Sequence, residues 1–408
     1  MANQTLVRNV NVRRVITLLR VEGPTPRADI ARRLSLTRST ITNVVDDLIR
    51  RKLVVEMPQE KSEGRRELGR PGINVRLNPN GAYFLGAEIE VGVVRFALLD
   101  LAGTVAEKRT VNADTTRPED AVETIRAVHA SLEQRPKYRG KIRALGLTVP
   151  GLVRSDGLVV HLPILGWKNV KLLQLAAAQM EAQLFIENNT NAAAFGEVYT
   201  HPGPGRDFIV YLKLGIGCGG AAIMNGRLMR GGRGTAAEFG HMRVADGGPL
   251  CSCGRRGCLE SYVNLAALSQ GFAPGEKLEI GALMTLPAKV AAAVMNDVPR
   301  AKEITESITG HLIIGLVSLT NIFNPSEIVL GGLMRPLLSA HLPRIMQGVR
   351  SGIVPGMAMP KLNLSAGEEY ECAIGAASIA HHQSFDVSNI ELEVIEVVEQ
   401  RNHVLSPI

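Results

Sequence analysis

The chain has 408 residues, of which 45% are hydrophobic and 21% charged, and this composition is typical of a globular protein with a sizeable core. About two to three domains are expected from this length. No apolar run approaches the ~20 residues that a membrane span needs, and no signal-peptide pattern opens the chain. Five cysteines, three of them between residues 251 and 258, favour a metal site over a disulfide framework. We therefore expect a cytoplasmic protein without a membrane-spanning segment.

The positive charge is concentrated at the N-terminus. Residues 1–80 contain 16 Lys and Arg against 8 Asp and Glu, a net charge of +8, whereas the other 328 residues contain 30 against 31, a net charge of −1. A small basic module on a neutral body is typical of proteins that bind the phosphates of a nucleic acid. Charge alone leaves open a solvated basic helix that has no partner.

The first part of this basic module has the pattern of two helices. Apolar residues between Val10 and Leu19 recur at helical spacing, and Gly23-Pro24 ends this first helix. A second, short helix is predicted over Pro26–Leu34, with Thr25 as its N-cap and the proline at its first position.

A third helix is predicted from Thr37, its N-cap, to about Lys52, after a tight turn at Ser35-Leu36. Two short helices joined by a tight turn, the second opening on polar and basic residues, form a helix-turn-helix. We expect Arg38 and Asn43 to pair with base edges in a major groove. The other predicted DNA contacts of this helix, which would bind phosphates, are Ser39, Thr40 and Thr42.

Two predicted strands, at residues 53–55 and 73–77, flank a polar and basic loop in the manner of a β-wing. The predicted DNA contacts in this loop are Arg65, Arg66 and Arg70. Gly69-Arg70-Pro71-Gly72 would hold an extended arginine that suits a narrow minor groove. Residues 1–78 are therefore predicted to form a winged helix-turn-helix that binds double-stranded DNA, with a helical protein–protein module as the alternative.

From residue 79 to residue 383, predicted strands alternate with helices. A β-meander over residues 83–111 is followed by a helix at 118–132 and a strand at 144–149. Further strands are predicted at residues 184–187 and 208–214, a second β-rich passage covers residues 219–224, and a strand at 327–330 precedes two glycines. This repetition predicts two α/β lobes with a cleft between them. Residues 384–408 form a C-terminal extension to which the sequence assigns no role.

The most specific motif lies between Gly234 and Glu260. It supplies one imidazole and three thiolates, from His241, Cys251, Cys253 and Cys258. Such a set matches closed tetrahedral zinc, which stabilises a fold and leaves no open coordination position. Three free buried thiols remain the alternative.

These motifs resemble those of the ROK family (repressors, open reading frames and sugar kinases). The motifs that carry the resemblance are Val149-Pro150-Gly151, Leu165-Gly166-Trp167, residues 187–194, residues 215–220, Gly240-His241, residues 249–260 and residues 328–332. The N-terminal module is similar to that of the repressor branch, which includes xylose and N-acetylglucosamine repressors. The resemblance implies an actin-like ATPase (sugar kinase-like) fold, structural zinc, a sugar in the cleft, and a homodimer or homotetramer.

The chain departs from the pattern of the family's kinases at the residues that perform phosphoryl transfer. Asn189 stands where the kinases carry an aspartate base, and an amide cannot accept the sugar's proton. The first phosphate loop of the kinases, Asp-x-Gly-Gly-Thr, is replaced by a segment with Glu88, Glu90 and Val91, and Ile216 stands where a threonine is usual. Like charge and bulk at this segment oppose ATP, so we expect no enzymatic activity.

The sugar pocket departs less. The resemblance implies that Glu238, His241 and Glu260 contact sugar hydroxyls, and Asn188 and Asn189 would add amide groups. Polar groups that only a matching sugar can satisfy provide discrimination. The alternative is that the two glutamates only support the zinc loop.

The sequence thus predicts a repressor of sugar-utilisation genes whose partners are operator DNA and a small sugar effector. The main alternative is an active sugar kinase that also carries a DNA-binding domain. Two others remain: a scaffold that senses no effector, and a repressor whose ligand is a protein.

Overall fold

The computed structural model describes residues 2–57 and 73–385, apart from residues 155, 233 and 277. The N-terminal module contains three helices, α1 (Ala2–Glu22), α2 (Arg27–Arg33) and α3 (Arg38–Arg50). It also contains three strands, β1 (Thr25–Pro26), β2 (Val54–Met57) and β3 (Asn74–Leu77), which form an antiparallel sheet in the order β1-β3-β2. The three predicted helices and the two predicted strands are therefore present.

The start of α2 differs from the prediction. Pro26 is the N-cap residue of α2, and Thr25 pairs with Val75 in the sheet. The hydroxyl of Thr25 donates to the carbonyl oxygen of Gly23 and does not cap the helix. Pro26 has extended backbone angles, φ −65° and ψ 144°, and a proline without an N–H is tolerated at a sheet edge.

The core of the N-terminal module is continuous with the body. Val15, Ile30 and Ile41 are fully buried inside the module. The same apolar cluster includes Phe84 of the first lobe and Ala380 near the C-terminal end of the described chain. The module is therefore packed on the body by apolar contacts in addition to its covalent connection.

The first lobe is built on a five-stranded sheet in the order β11-β7-β4-β5-β6. Its strands are β4 (Tyr83–Glu90), β5 (Val93–Asp100), β6 (Val105–Asn112), β7 (Ile142–Val149) and β11 (Gln183–Asn188). The first three form the predicted meander, and β7 and β11 run parallel to β4. A small side sheet contains β8 (Leu152–Val153), β9 (Val159–Leu162) and β10 (Trp167–Val170), and the lobe's helices are α4 (Pro118–Glu133) and α5 (Leu172–Ala177).

The second lobe repeats this plan with a sheet in the order β14-β13-β12-β15-β16. Its strands are β12 (Phe208–Leu214), β13 (Cys218–Met224), β14 (Arg227–Leu228), β15 (Glu327–Gly331) and β16 (Lys361–Leu364). Its helices are α7 (Glu260–Val263), α8 (Leu265–Phe272), α9 (Ile280–Met295), α10 (Pro299–Phe323) and α11 (Arg335–Gly352). The strand-rich start of each lobe followed by helices is the arrangement that the sequence predicted.

Two further helices lie between the lobes: α6 (Asn189–Thr200) and α12 (Glu371–Ser384). They approach each other at backbone distance, because a Cβ atom added to Gly375 would lie 1.9 Å from the carbonyl oxygen of Ala192. α12 packs equally closely on the first sheet, where a Cβ at Gly86 would lie 1.9 Å from the carbonyl oxygen of Ala373. At these glycines the two helices and the first sheet are in contact with no free space between them.

Helix α10 passes the length and composition criteria for a membrane span, with a mean hydropathy of 1.2 over its most apolar window. Side chains along its length, among them Ile308, Leu312 and Leu319, are fully buried in the core of the second lobe. α10 also packs against α8 and α11. These contacts are those of a core helix.

Candidate functional site

The N-terminal half of α3 presents a polar face to solvent. Thr37 caps the helix by accepting a hydrogen bond from the backbone N–H of Thr40 at 3.1 Å. Arg38, Ser39, Thr42 and Asn43 are exposed, and Thr40 is half-buried. Among the described residues, the side chains of Arg38 and Asn43 have no hydrogen-bond or ion-pair partner.

The predicted wing is only partly described. β2 and β3 pair in register from Val54 with Leu77 to Met57 with Asn74, as the prediction requires. The predicted contacts Arg65, Arg66 and Arg70 lie outside the described residues.

The four predicted metal ligands lie together in the second lobe. The ligand atoms of His241, Cys251, Cys253 and Cys258 all lie within 4.8 Å of one another. Cys253 Sγ is 3.7 Å from Cys258 Sγ, and Cys251 Sγ is 3.4 Å from His241 Nδ1. Ligands held at about 2.0–2.3 Å from one tetrahedral ion are separated by roughly these distances. The residues therefore fit a metal ion, which His241 would bind through Nδ1.

Two glutamates flank this cluster in different environments. Glu238 is exposed, and its Oε2 lies 3.9 Å from His241 Nε2, the ring nitrogen that faces away from the cluster. Glu260 is engaged through both oxygens, because it accepts hydrogen bonds from Ser252 Oγ at 2.7 Å and from the backbone N–H of Cys218 at 3.0 Å. Glu260 therefore connects the metal loop to β13, whereas the carboxylate of Glu238 is exposed beside His241.

The predicted amide groups lie at the start of α6. Asn188 is the N-cap residue; its Oδ1 accepts from two backbone N–H groups, and its Nδ2 donates to the carbonyl oxygen of Gly151 at 2.9 Å. Asn189 is buried, and its Oδ1 lies 3.4 Å from Thr190 Oγ1. The side-chain oxygen and nitrogen of Asn188 are thus both hydrogen-bonded within the chain. The side-chain N–H₂ of Asn189 has no hydrogen-bond partner among the described residues.

The start of α6 and the metal loop meet at one segment of β13. A Cβ atom at Gly219 would lie 2.1 Å from Thr190 Oγ1, and one at Gly220 would lie 2.3 Å from the carbonyl oxygen of Ala237. The start of α6 and the segment that leads to Glu238 and His241 therefore pack against two adjacent glycines of β13. No predicted sugar contact lines the described cavity of about 400 Å³, which lies beside the second half of α6 around Glu197, Thr200 and Ser365.

A salt bridge that the sequence did not reveal crosses between the lobes at this point. Arg230 Nη2, in the loop after β14, lies 2.6 Å from Glu187 Oε2 on β11. Glu187 is buried, and its other oxygen accepts from the backbone N–H of Asn188 and from Asn191 Nδ2. Nothing in the spacing of Arg230 indicated this pairing, because it depends on the approach of two separate sheets.

The segment that replaces the kinase phosphate loop is filled by buried charges. Glu88 and Glu90 are buried at the end of β4 and face Arg95 Nη1 at 4.0 and 3.5 Å. Lys213 Nζ, from β12 of the second lobe, lies 3.9 Å from Glu88 Oε1. Burial raises the pKa of Glu88 to about 7. The carboxylates are thus paired with cations of the same chain. The sequence prediction treated them only as negative charges that repel ATP and did not include these ion pairs.

With this geometry in place, the chain can be compared with known proteins. The sequence profile of the ROK family matches residues 85–383, which is most of the chain. The chain belongs to the ROK family.

Among the ROK relatives, the xylose repressor of Bacillus subtilis strain 168 is 29% identical and aligns over 86% of this chain and 88% of its own length. The glucokinase of Streptomyces coelicolor is 30% identical and aligns over 72% of this chain and 95% of its own length. The repressor alignment therefore extends beyond the ROK match, whereas the kinase alignment covers about as much of the chain as that match does.

A solved structure of a ROK family transcriptional regulator, a homologue of the Escherichia coli MLC protein, has the same fold with a TM-score of 0.77. It is 24% identical and covers 93% of this chain and 96% of its own. A match of this extent includes N-terminal residues outside the ROK match, so the likeness of fold is not confined to the two lobes.

Proposed function

We propose that this ROK protein is a sugar-responsive transcriptional regulator that binds operator DNA and performs no phosphoryl transfer. The observation that carries the proposal is the exposed polar face at the start of α3, where Arg38 and Asn43 have no partner among the described residues, on a body that shares its fold with a ROK regulator. A relative named xylose repressor aligns over 95% of this chain, and therefore over most of the N-terminal module as well as over the lobes.

The N-terminal module acts as a winged helix-turn-helix in this proposal. Ser35, at φ 53°, makes the left-handed turn between α2 and α3, and this turn places the start of α3 at the surface. Arg38 and Asn43 would contact base edges, and Ser39, Thr40 and Thr42 would contact phosphates. The sequence positions of Arg65, Arg66 and Arg70, between β2 and β3, favour a basic wing that follows the adjacent minor groove.

The cluster of His241, Cys251, Cys253 and Cys258 is proposed to hold structural zinc. A bound zinc ion would supply a closed four-ligand centre that ties the loop after residue 240 to the start of α7. The imidazole of His241 would be oriented by Glu238, which lies at its other ring nitrogen.

A sugar is proposed to lie between the start of α6 and this loop. The free groups that face such a ligand are the side-chain N–H₂ of Asn189 and the exposed carboxylate of Glu238, with His241 beside them. Asn188 and Glu260 would shape the site and support it, since their polar atoms are engaged within the chain. A pocket of this kind discriminates among sugars because an ill-matched ligand leaves its polar groups unpaired.

Phosphoryl transfer is not part of the proposal for two reasons. Asn189 cannot accept a proton from a sugar hydroxyl. In addition, the position of the first phosphate loop holds Glu88 and Glu90, which pair with Arg95 and Lys213 and leave those cations unavailable to phosphate.

A homodimer or homotetramer in the cytoplasm completes the proposal. Helices α10 and α11 carry three exposed apolar side chains, Ile314, Ile322 and Met346, and Val354 just after α11 is a fourth. A second copy of the chain would cover such a surface, and a two-fold axis would present two α3 helices to a pseudo-palindromic operator.

The test is a binding assay with duplexes that the full chain selects from a random pool. We expect selected duplexes to bind more tightly than random ones, with an affinity that falls as salt rises from about 50 to 200 mM. Titration with D-xylose, D-glucose and N-acetylglucosamine should then change the affinity for the selected duplex. ATP-dependent phosphorylation of any of these sugars would establish the kinase alternative, whereas absence of salt-dependent duplex binding would overturn the DNA-binding part of the proposal.

A further inference from the structure

We infer that helix α6 couples the sugar cleft to the DNA-binding module, and that Arg20 of α1 is the residue that holds the module to the far end of this helix. The inference rests on the proposed function. It concerns how the two sites communicate, which neither site explains alone.

The two ends of α6 belong to different sites. Its first turn carries Asn188 and Asn189 of the proposed sugar site. Its last turn carries Tyr199, whose carbonyl oxygen accepts a hydrogen bond from Arg20 Nη1. The guanidinium of Arg20 also covers the ring of Tyr199, with Cζ 3.8 Å from the ring centroid. A helix of 12 residues spans about 18 Å, so one rigid element reaches from the cleft to the module.

Helix α6 contacts the second lobe at its start and, through α12, the first lobe at its middle. At its start, Thr190 lies under Gly219 of β13 in the second lobe. At its middle, Gly196 lies against Gly375 of α12, which packs on the sheet of the first lobe; a Cβ at Gly196 would be 2.7 Å from the Cα of Gly375. Because such contacts have no free space, a rotation of one lobe against the other must shift α6 relative to α12.

The N-terminal module is tied to both of these helices. Arg13, two helical turns before Arg20 on the same face of α1, lies with its Nη2 2.7 Å from Nε2 of His382 on α12. Burial, together with Arg13 and Arg20, lowers the pKa of His382 to about 3, so the neutral imidazole accepts this hydrogen bond. A shift between α6 and α12 therefore acts on two points of the same helix.

Helix α1 passes such a displacement to the DNA-binding face. Val15 and Ile16 of α1 are buried in the core that α3 shares, and this apolar contact joins the two helices. The exposed ion pair of Arg8 Nη2 with Asp47 Oδ1 of α3, at 2.9 Å, adds little to it, because exposed pairs contribute at most about 1 kcal/mol. α1 and α3 thus move together, and a change at Tyr199 reorients the helix that carries Arg38.

The experiment compares Arg20→Met with the matched control Arg8→Met, which removes a guanidinium from α1 whose partner lies inside the module. For each purified full-length variant, calorimetry gives the affinity for the three probe sugars, and anisotropy gives the affinity for the selected duplex with and without sugar. We expect Arg20→Met to retain sugar affinity within about twofold and to lose at least about fivefold of the sugar-dependent change in duplex affinity, which is within the usual range of coupling between sites. Arg8→Met should keep the sugar response.

A sugar response of wild-type size in Arg20→Met would overturn the inference. If the wild-type chain itself ignores all three sugars or all duplexes, the proposed function has failed, and a second measurement still decides the role of Arg20. Hydrogen exchange of the amides of α1 and of the last turn of α6 should be faster in Arg20→Met than in Arg8→Met. Equal protection in the two variants would show that Arg20 does not hold the module to α6.

Discussion

The two sides of the cleft differ in how their polar groups are used. In the second lobe, His241 and three cysteines converge with ligand-like spacing, and Glu238 beside them is exposed. In the first lobe, Glu88 and Glu90 are buried and paired with Arg95, and Lys213 of the other lobe completes the group. The second lobe thus presents an exposed carboxylate beside the metal cluster, whereas the charged groups at the first lobe are paired with one another. This difference supports the proposal that a kinase-like fold recognises a ligand here without transferring a phosphoryl group.

The largest expected effect comes from the metal side. Cys253→Ser should reduce bound zinc from about one ion per chain to near zero and lower the melting temperature, because three ligands do not close a structural site. Metal content by mass spectrometry and thermal unfolding measure both. Cys372→Ser, at a buried thiol outside the cluster, is the control and should retain the metal. Full zinc content in Cys253→Ser would remove that residue from the ligand set.

The next effect concerns the DNA-binding face that the cleft is proposed to control. Arg38→Ala should weaken binding to the selected duplex by about 1–3 kcal/mol, with a smaller loss on random duplexes, if the guanidinium pairs with a base. Arg50→Ala is the matched control, because Arg50 lies at the other end of α3 and pairs with Asp47. An equal loss on both kinds of duplex would make Arg38 a phosphate contact.

The free energy of unfolding should depend on pH through Glu88, which lies in the charged group of the first lobe. The pKa of Glu88 is raised from 4.5 to about 7, so the folded state binds this proton more tightly than the unfolded state does. Stability from this group is therefore present at low pH and is lost as the pH rises through about 7. Glu88→Gln should remove this decrease, which we expect to be on the order of 1–3 kcal/mol in the free energy of unfolding.

Chemical denaturation at about pH 5 and pH 8 measures this difference. Glu119→Gln, which alters an exposed carboxylate on α4, is the control and should keep the wild-type pH dependence. A wild-type slope in Glu88→Gln would mean that Glu88 titrates alike in the folded and unfolded chains.

The smallest expected effect is no change, because Asn189→Asp should not gain kinase activity. Asn189→Asp restores a carboxylate at the position of the kinase base, but the segment around Glu88 still opposes ATP. A coupled assay with ATP and the three sugars should detect no turnover, with the Streptomyces coelicolor glucokinase as the positive control. Turnover in Asn189→Asp would show that the charges around Glu88 do not block nucleotide binding.

Patterns over short segments of the sequence predicted the helices, strands and metal ligands well. They did not predict contacts between residues that lie far apart along the chain. The meander, the third helix and the Cys–His set depend on spacing along short segments, and the structure contains all of them. The Arg230–Glu187 bridge and the contact of Arg20 with Tyr199 join residues 43 and 179 positions apart (230 − 187 and 199 − 20), so no local period could indicate them. The N-cap of α2 was wrong because Pro26 continues a strand pairing whose partner lies far along the chain.

The position of α12 also bears on how the chain matures on the ribosome. This helix covers Gly86 of the first sheet and supplies His382 to the N-terminal module, although it is the last helix of the described chain. A nascent chain therefore lacks part of the docking surface for its own first helix until synthesis has passed residue 384. Premature termination before Glu371 would leave the basic module with only its other contacts to the body, such as those at Phe84 and Tyr199.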